Sequence, residues 1–254
     1  MTPVIALELK TIFKSFGEQK VHQGIDFKIE KGKSAIVVGQ SGAGKSVMLK
    51  YFTGLMKPDT GEVKVFGQDI AKMKRRELYD IRSRLGVLFQ SAALFDSLTT
   101  FENVALPLRE KTKLSESQIR ESVLEKLDLV GMADAKDKFP AELSGGMQKR
   151  VGLARALQRD PDIVLFDEPT TGLDPETTHS IYDLFADTQK KLGYTSLIVS
   201  HDIPKVFRIA DLVAVLSNKE IQICEKECLG EGCGNPWLVK MLELEKLLLG
   251  LLNQ

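Results

Sequence analysis

Apolar and polar side chains alternate through most of residues 4–38, in the runs VIALELKTIF, VHQGIDFKIEKG and SAIVVG. A period of two places every second side chain on one face, so these runs predict short strands, with Gly17 and Gly32 at turns. Residues 34–38 predict a strand buried on both faces. From Gly44 the period lengthens to that of a helix, with Val47, Met48, Tyr51, Phe52 and Leu55 on its apolar face and Gly54 weakening its last turn. Residues 57–61, KPDTG, are turn chemistry, and GEVKVFGQDI returns as strand and turn. Residues 72–84, KMKRRELYDIRSR, predict a charged, solvated helix. The segment 88–112, LFQSAALFDSLTTFENVALPLREKT, reads as an apolar loop punctuated by Ser and Thr. Residues 115–130 predict an amphipathic helix with Ile119, Val123, Leu127 and Val130 on one face and Ser115 as its cap. A helix follows Ser144, then a buried strand over 163–166, a helix over 176–191 and a buried strand, TSLIVS. A tail helix over 236–252 carries Trp237, Leu238, Met241, Leu242, Leu244, Leu247, Leu248 and Leu251 as a broad apolar face. The β-α-β succession predicts a parallel-sheet core. No internal repeat and no low-complexity linker interrupts it.

The 254 residues suit one large α/β domain or two small ones, and 43% hydrophobic content supports a sizeable core. Thirty-five basic residues balance 35 acidic ones, so the chain carries no global nucleic-acid footprint. No apolar run approaches the roughly 20 residues of a membrane span, and MTPVIALELK is not a signal peptide. These features predict a cytoplasmic protein; a membrane-spanning part would come from a partner. Cys224, Cys228 and Cys233 lack the fourth ligand of a zinc template and are expected to be reduced thiols in a turn.

The chemistry concentrates at a few points. GQSGAGKS, from Gly39 to Ser46, follows a buried strand and opens a helix. Glycines let the backbone curl so that consecutive N–H groups face phosphate oxygens, and the helix start adds favourable potential for an anion. Lys45 supplies a cation beside the terminal phosphates, and Ser46 an oxygen for Mg2+. This motif means nucleotide binding; kinases, GTPases and ATPases share it. Asp167, at the end of an apolar strand, is placed to hold Mg2+, and Glu168 to polarise water at the γ phosphate. His201 follows the strand TSLIVS, at the sheet edge where ligands gather, and is expected to hydrogen-bond the γ phosphate or the attacking water. In LSGGMQKR, Ser144, Gly145 and Gly146 make a second anion site at a helix start, redundant for a single domain.

GQSGAGKS, FQ at 89–90, LSGGM, IVLFDE and SHD at 200–202 occur in the order seen in ATP-binding cassette (ABC) ATPases, and nearly the whole chain resembles that family. The resemblance implies a P-loop cassette of α/β class: a RecA-like parallel-sheet core, an N-terminal antiparallel β subdomain and an inserted α-helical subdomain at about 91–160. The cassette would span 5–234 and the helical tail 235–254. It implies ATP bound by Phe16 (stacking on adenine, where the family usually has Tyr), Gly39, Gln40, Ser41, Gly42, Ala43, Gly44, Lys45 and Ser46. Mg2+ would be held by Ser46, Gln90 and Asp167, with Glu168, His201 and Gln90 catalytic. Two cassettes would pair head to tail, so that Ser144, Gly145, Gly146 and Asp174, the last in a D-loop, act in trans on the partner's ATP. Met147 replaces the commoner Gln.

Within the family, the 88–112 segment, LSGGM, RELYDIRSR and NPWLVKMLE at 235–243 are similar to the ATPases of bacterial Mla/Mce-type phospholipid transport. That likeness implies an ATPase homodimer at the cytoplasmic face of the inner membrane, a multi-spanning permease, an Mce-domain protein and a STAS-domain subunit as partners, and no nucleic acid. Leu94, Phe95, Leu98 and Phe101 would line or dock at the permease cleft. Other readings are the ATPase of an amino-acid or lipoprotein-type ABC system, a P-loop small-molecule kinase and a soluble ABC regulator. A kinase needs an acceptor site and a lid, rather than LSGGM and a D-loop.

Overall fold

The computed structural model describes residues 3–252, without the side chains of residues 226 and 248–252. Residues 253–254 of the expected tail and the side chains of Leu248 and Leu251 lie outside the described part. Strands β1 (Ile5–Phe16), β2 (Gln19–Glu30) and β3 (Ser34–Gly39) lead into helix α1 (Lys45–Phe52). Then come β4 (Thr60–Val65), β5 (Gln68–Asp69), α2 (Arg75–Ser83), β6 (Leu85–Leu88), α3 (Thr100–Lys111), α4 (Glu116–Leu129) and α5 (Gly145–Leu157). The chain ends with β7 (Ile163–Asp167), α6 (Pro175–Leu192), β8 (Thr195–Ser200), β9 (Leu212–Ser217), β10 (Glu220–Cys224) and α7 (Pro236–Leu252). The chain divides into two compact units: residues up to Tyr79 with those from Thr195 onward, and Asp80–Tyr194.

In the first unit, β2, β1, β4 and β5 form an antiparallel sheet in that order. Leu7, Leu9, Ile12, Ile25, Phe27 and Ile29 are buried from it, as the alternating pattern requires. Strand β3 lies between β8 and β9 and parallel to both, and β10 closes antiparallel on β9. β3 is buried along its whole length, which is why it is apolar on both faces. It ends in Gly39, where a Cβ would fall 2.2 Å from the Leu216 carbonyl oxygen; only glycine passes β9 there.

In the second unit, β6 and β7 pair in parallel and carry helices α3 to α6. Helix α5 lies close against β6: a Cβ on Gly86 would meet the Ala156 carbonyl at 2.5 Å, and one on Gly152 would meet Leu88 at 2.7 Å. Phe166 of β7 packs on Phe185 of α6, ring centroids 4.4 Å apart. Thr99 and Ser115 cap α3 and α4 in capping boxes with Glu102 and Gln118, and Ser144 and Asp174 cap α5 and α6.

Four expectations are corrected. Residues 100–111 form α3 and are not loop: Thr99 caps them, and Val104, Ala105 and Leu108 are buried. Helix α1 stops at Phe52, and Leu55 lies beyond it, 65% exposed, because Gly54 turns the chain at φ 65. The helix expected from residue 72 starts at Arg75, after a single 3-10 turn over Ile70–Lys72. Cys228 and Cys233 are joined in a disulfide, while Cys224 remains a buried thiol. Gly232 and Cys233 take left-handed φ of 78 and 50, and this turn brings the two half-cystines together.

Candidate functional site

The phosphate cradle is built in the first unit from the end of β3 and the start of α1. Gly42 and Gly44 have φ of 78 and 102, outside the range open to most residues, and the Ala43 N–H donates to the Gln40 carbonyl at 3.1 Å. The loop therefore curls back on itself. Lys45 is buried beneath the curl, its Nζ donating to the Gly39 and Gln40 carbonyls at 2.9 and 3.1 Å. Gly44, the N-cap of α1, has no side chain to cap the first turn. A helix that starts in this way, above a buried ammonium, fits a phosphate. Ser41 and Gln40 are exposed on the rim, and Ser46 is the second residue of the helix.

Phe16 ends β1 and is 45% exposed. Its neighbours hold it in place: the Lys14 ammonium sits 5.4 Å from the ring centroid and pairs with Asp59 at 2.6 Å, and the Ser15 N–H donates to the same carboxylate at 2.7 Å. The Lys14 and Ser15 hydrogen bonds hold the Asp59 carboxyl below its ordinary range. His201 follows β8 and is exposed. β3 and β8 run parallel with Val38 opposite Ser200, so Gly39 and His201 leave the same sheet edge from adjacent strands.

In the second unit the register does the equivalent work. Leu88 of β6 lies opposite Phe166 of β7, so Gln90 and Glu168 emerge two residues later from one edge, with Asp167 beside them. Glu168 has φ 48, a left-handed conformation that costs a non-glycine residue about 1 kcal/mol or more. Its carbonyl accepts from the Thr171 N–H at 3.3 Å, and the Thr170 hydroxyl pairs with that of Tyr182 at 2.9 Å. Among the described residues no three carboxylates, histidines or cysteines cluster as a metal cage. Mg2+ is bound through one or two protein oxygens together with substrate phosphates, and in this unit Asp167, at the end of β7, offers a carboxylate of that kind.

The candidate for a second anion site starts α5. The Ser144 hydroxyl accepts from the Met147 N–H at 3.3 Å and keeps its own hydrogen to give. Gly146 is also a packing requirement, whereas Gly145 is only tightly approached. A Cβ on Gly146 would lie 2.5 Å from Thr177 Cγ2, and one on Gly145 would lie 3.1 Å from Leu173 Cδ2. Asp174 spends its carboxylate on the Thr177 N–H at 2.9 Å and hydroxyl at 2.6 Å, which holds its pKa down.

Three residues that sequence reasoning passed over hold the Gln90 segment. Asn103 accepts from the Phe95 N–H at 2.8 Å and donates to the Phe95, Leu98 and Thr99 carbonyls. Arg155 donates to the carbonyls of Ala92 and Ala93, both left-handed at φ 58 and 49. Buried Lys149 donates to the Gln90 carbonyl. Burial lowers the pKa of Lys149 and of Arg155. Phe89 and Phe95 are exposed, whereas Leu94, Leu98 and Phe101 are half-buried.

The family model described as ABC transporter matches residues 22–171. The chain is 42% identical over 215 residues to the intermembrane phospholipid transport system ATP-binding protein MlaF of Haemophilus influenzae, covering 85% of this chain and 81% of that one. It is 44% identical over 217 residues to the "Probable ribonucleotide transport ATP-binding protein mkl" of Mycobacterium leprae, covering 85% of this chain and 62% of that one. The dimeric post-hydrolysis structure of the ATP-binding cassette MJ0796, bound to ADP and Pi, superposes with TM-score 0.76 at 33% identity, covering 85% of this chain and 96% of that one.

Proposed function

The chain belongs to the ABC transporter family, and on that premise we propose that it is the ATP-hydrolysing subunit of a bacterial phospholipid transporter. The observation that carries the lipid reading is the 42% identity to MlaF over 85% of the chain. Cassettes of this family dimerise and partner with membrane permeases. No helix among the described residues is long and apolar enough to cross a membrane, so crossing falls to such a partner.

In the proposed assembly, ATP lies on the 39–46 cradle of one copy, with Phe16 stacked on its base, and faces Ser144, Gly145, Gly146 and Asp174 of the second copy. Ser46, Gln90 and Asp167 hold Mg2+ with the phosphates, Glu168 activates water, and His201 contacts the γ phosphate. The cassette is taken as 5–234, its helical subdomain as about 91–160, and the tail as 235–254. ATP closes the pair and hydrolysis opens it, a two-state element biased by ligand. The dimer sits peripherally on the inner membrane beneath its permease, with an Mce-domain protein and a STAS-domain subunit as further partners.

Extraction in mild detergent tests this reading: a multi-spanning permease should copurify. In liposomes of labelled phospholipid, the reconstituted complex should move lipid only while ATP is hydrolysed. ATP turnover without lipid movement would sink the substrate assignment. The name of the mycobacterial relative supports a second reading, ribonucleotide transport, which labelled ribonucleotides inside the same liposomes would reveal.

A further inference from the structure

His22 lies on β2 under the phosphate cradle, with 1% of its surface exposed. Its Nδ1 is 2.8 Å from the Tyr51 hydroxyl on α1, and the two rings meet edge to face with centroids 5.5 Å apart. Its other edge faces the loop. A Cβ placed on Gly44 would lie 2.5 Å from His22 Nε2 and 2.7 Å from Val21 Cγ1, so the imidazole is the floor on which Gly44 rests. Nε2 is buried without a hydrogen-bond partner. An apolar side chain would fill this space without stranding a polar atom, so the polar edge calls for a reason.

We propose that His22 is a positioning residue of the cradle, its Nε2–H edge setting the orientation of the Gly44 peptide that meets phosphate. This deepens the nucleotide reading of the loop and rests on it. In the proposed tautomer the Tyr51 hydroxyl is the donor to Nδ1, 2.8 Å away, and the ring hydrogen sits on Nε2, beneath the N-cap of α1. The electropositive edge adds to the potential that an anion meets at the helix start. Burial keeps the ring neutral by lowering its pKa to about 4, while the Gly44 backbone, near but outside hydrogen-bond geometry, pulls the other way. The contact therefore persists at neutral pH.

Two variants separate the edges of the ring, because Gln carries its amide nitrogen where Nε2 lies and Asn where Nδ1 lies. ATP binding to the full-length chain is measured by calorimetric titration, with melting temperature as a control for folding. His22→Gln should bind ATP within about twofold of the parent, and His22→Asn about tenfold more weakly. Equal weakening of both, or unimpaired binding by His22→Asn, would overturn the proposal. Tyr51→Phe leaves the ring in place and should weaken binding about threefold by releasing the tautomer; unchanged binding would overturn the tautomer assignment. A parent chain that binds no ATP would instead refute the nucleotide reading itself.

Discussion

The buried ammonium of Lys149 donates to the backbone carbonyl of Gln90. One bond thus joins the helix that begins at the proposed second anion site to the residue proposed to hold Mg2+. Lys149→Met keeps most of the stem and removes the donor. The substitution should lower the kcat for ATP about tenfold with little change in KM, and destabilise the chain by about 1–3 kcal/mol through the stranded carbonyl. Steady-state kinetics and urea unfolding would check both; an unchanged kcat would sever Gln90 from the helix.

Glu168→Gln should bind ATP normally, hydrolyse it at least about a thousandfold more slowly and accumulate as a dimer in ATP. The change preserves shape and the left-handed backbone at φ 48, so a loss reports on the carboxylate. Phosphate release and size exclusion with ATP give the readout. Normal turnover would refute the assignment.

The two signature glycines should differ. Gly146→Ala drives a methyl group into Thr177, on the first turn of α6, and should cost about 1–3 kcal/mol while also displacing the Asp174 cap. Gly145→Ala meets only the tip of Leu173, which can rotate, and should unfold close to the parent's urea midpoint. Ser144→Arg should spare ATP binding by the monomer and block ATP-dependent dimers. Dimers of that variant in ATP would refute the in-trans site.

Stability should fall in mild acid because of His22. Its folded pKa is lowered by burial from 6.5 to about 4. Above pH 6.5 both states are neutral. As pH falls from there towards 4, the unfolded chain takes a proton that the folded ring refuses, and about 3 kcal/mol of stability is lost. His22→Gln should lose less over this window, as urea unfolding at pH 7 and 4.5 would show.

Local signals were legible in the sequence and long-range ones were not. The strand–loop–helix from Ser34 to Phe52 declares itself because burial on both faces, glycine placement and a lysine coincide within a few residues. The cap at Ser115 is equally local. Helix α3 is masked in the sequence by the Ser and Thr that punctuate 88–112, although Thr99 and Glu102 spell a capping box. Lys149 and Arg155 reach carbonyls about 60 residues upstream. No periodicity encodes such a contact. The Cys228–Cys233 bond depends on left-handed turns at Gly232 and Cys233, and only the glycine hints at one.

Phe16 has a further consequence. A benzene ring bearing neither donor nor acceptor cannot distinguish the edge of adenine from that of guanine, and stacking rewards any purine face. If Phe16 is the platform, the site reads its fuel through the triphosphate and leaves the base to supply and demand. Guanosine triphosphate should then drive the machine nearly as well in a test tube, and the preference for ATP in a cell would reflect which purine is more abundant there.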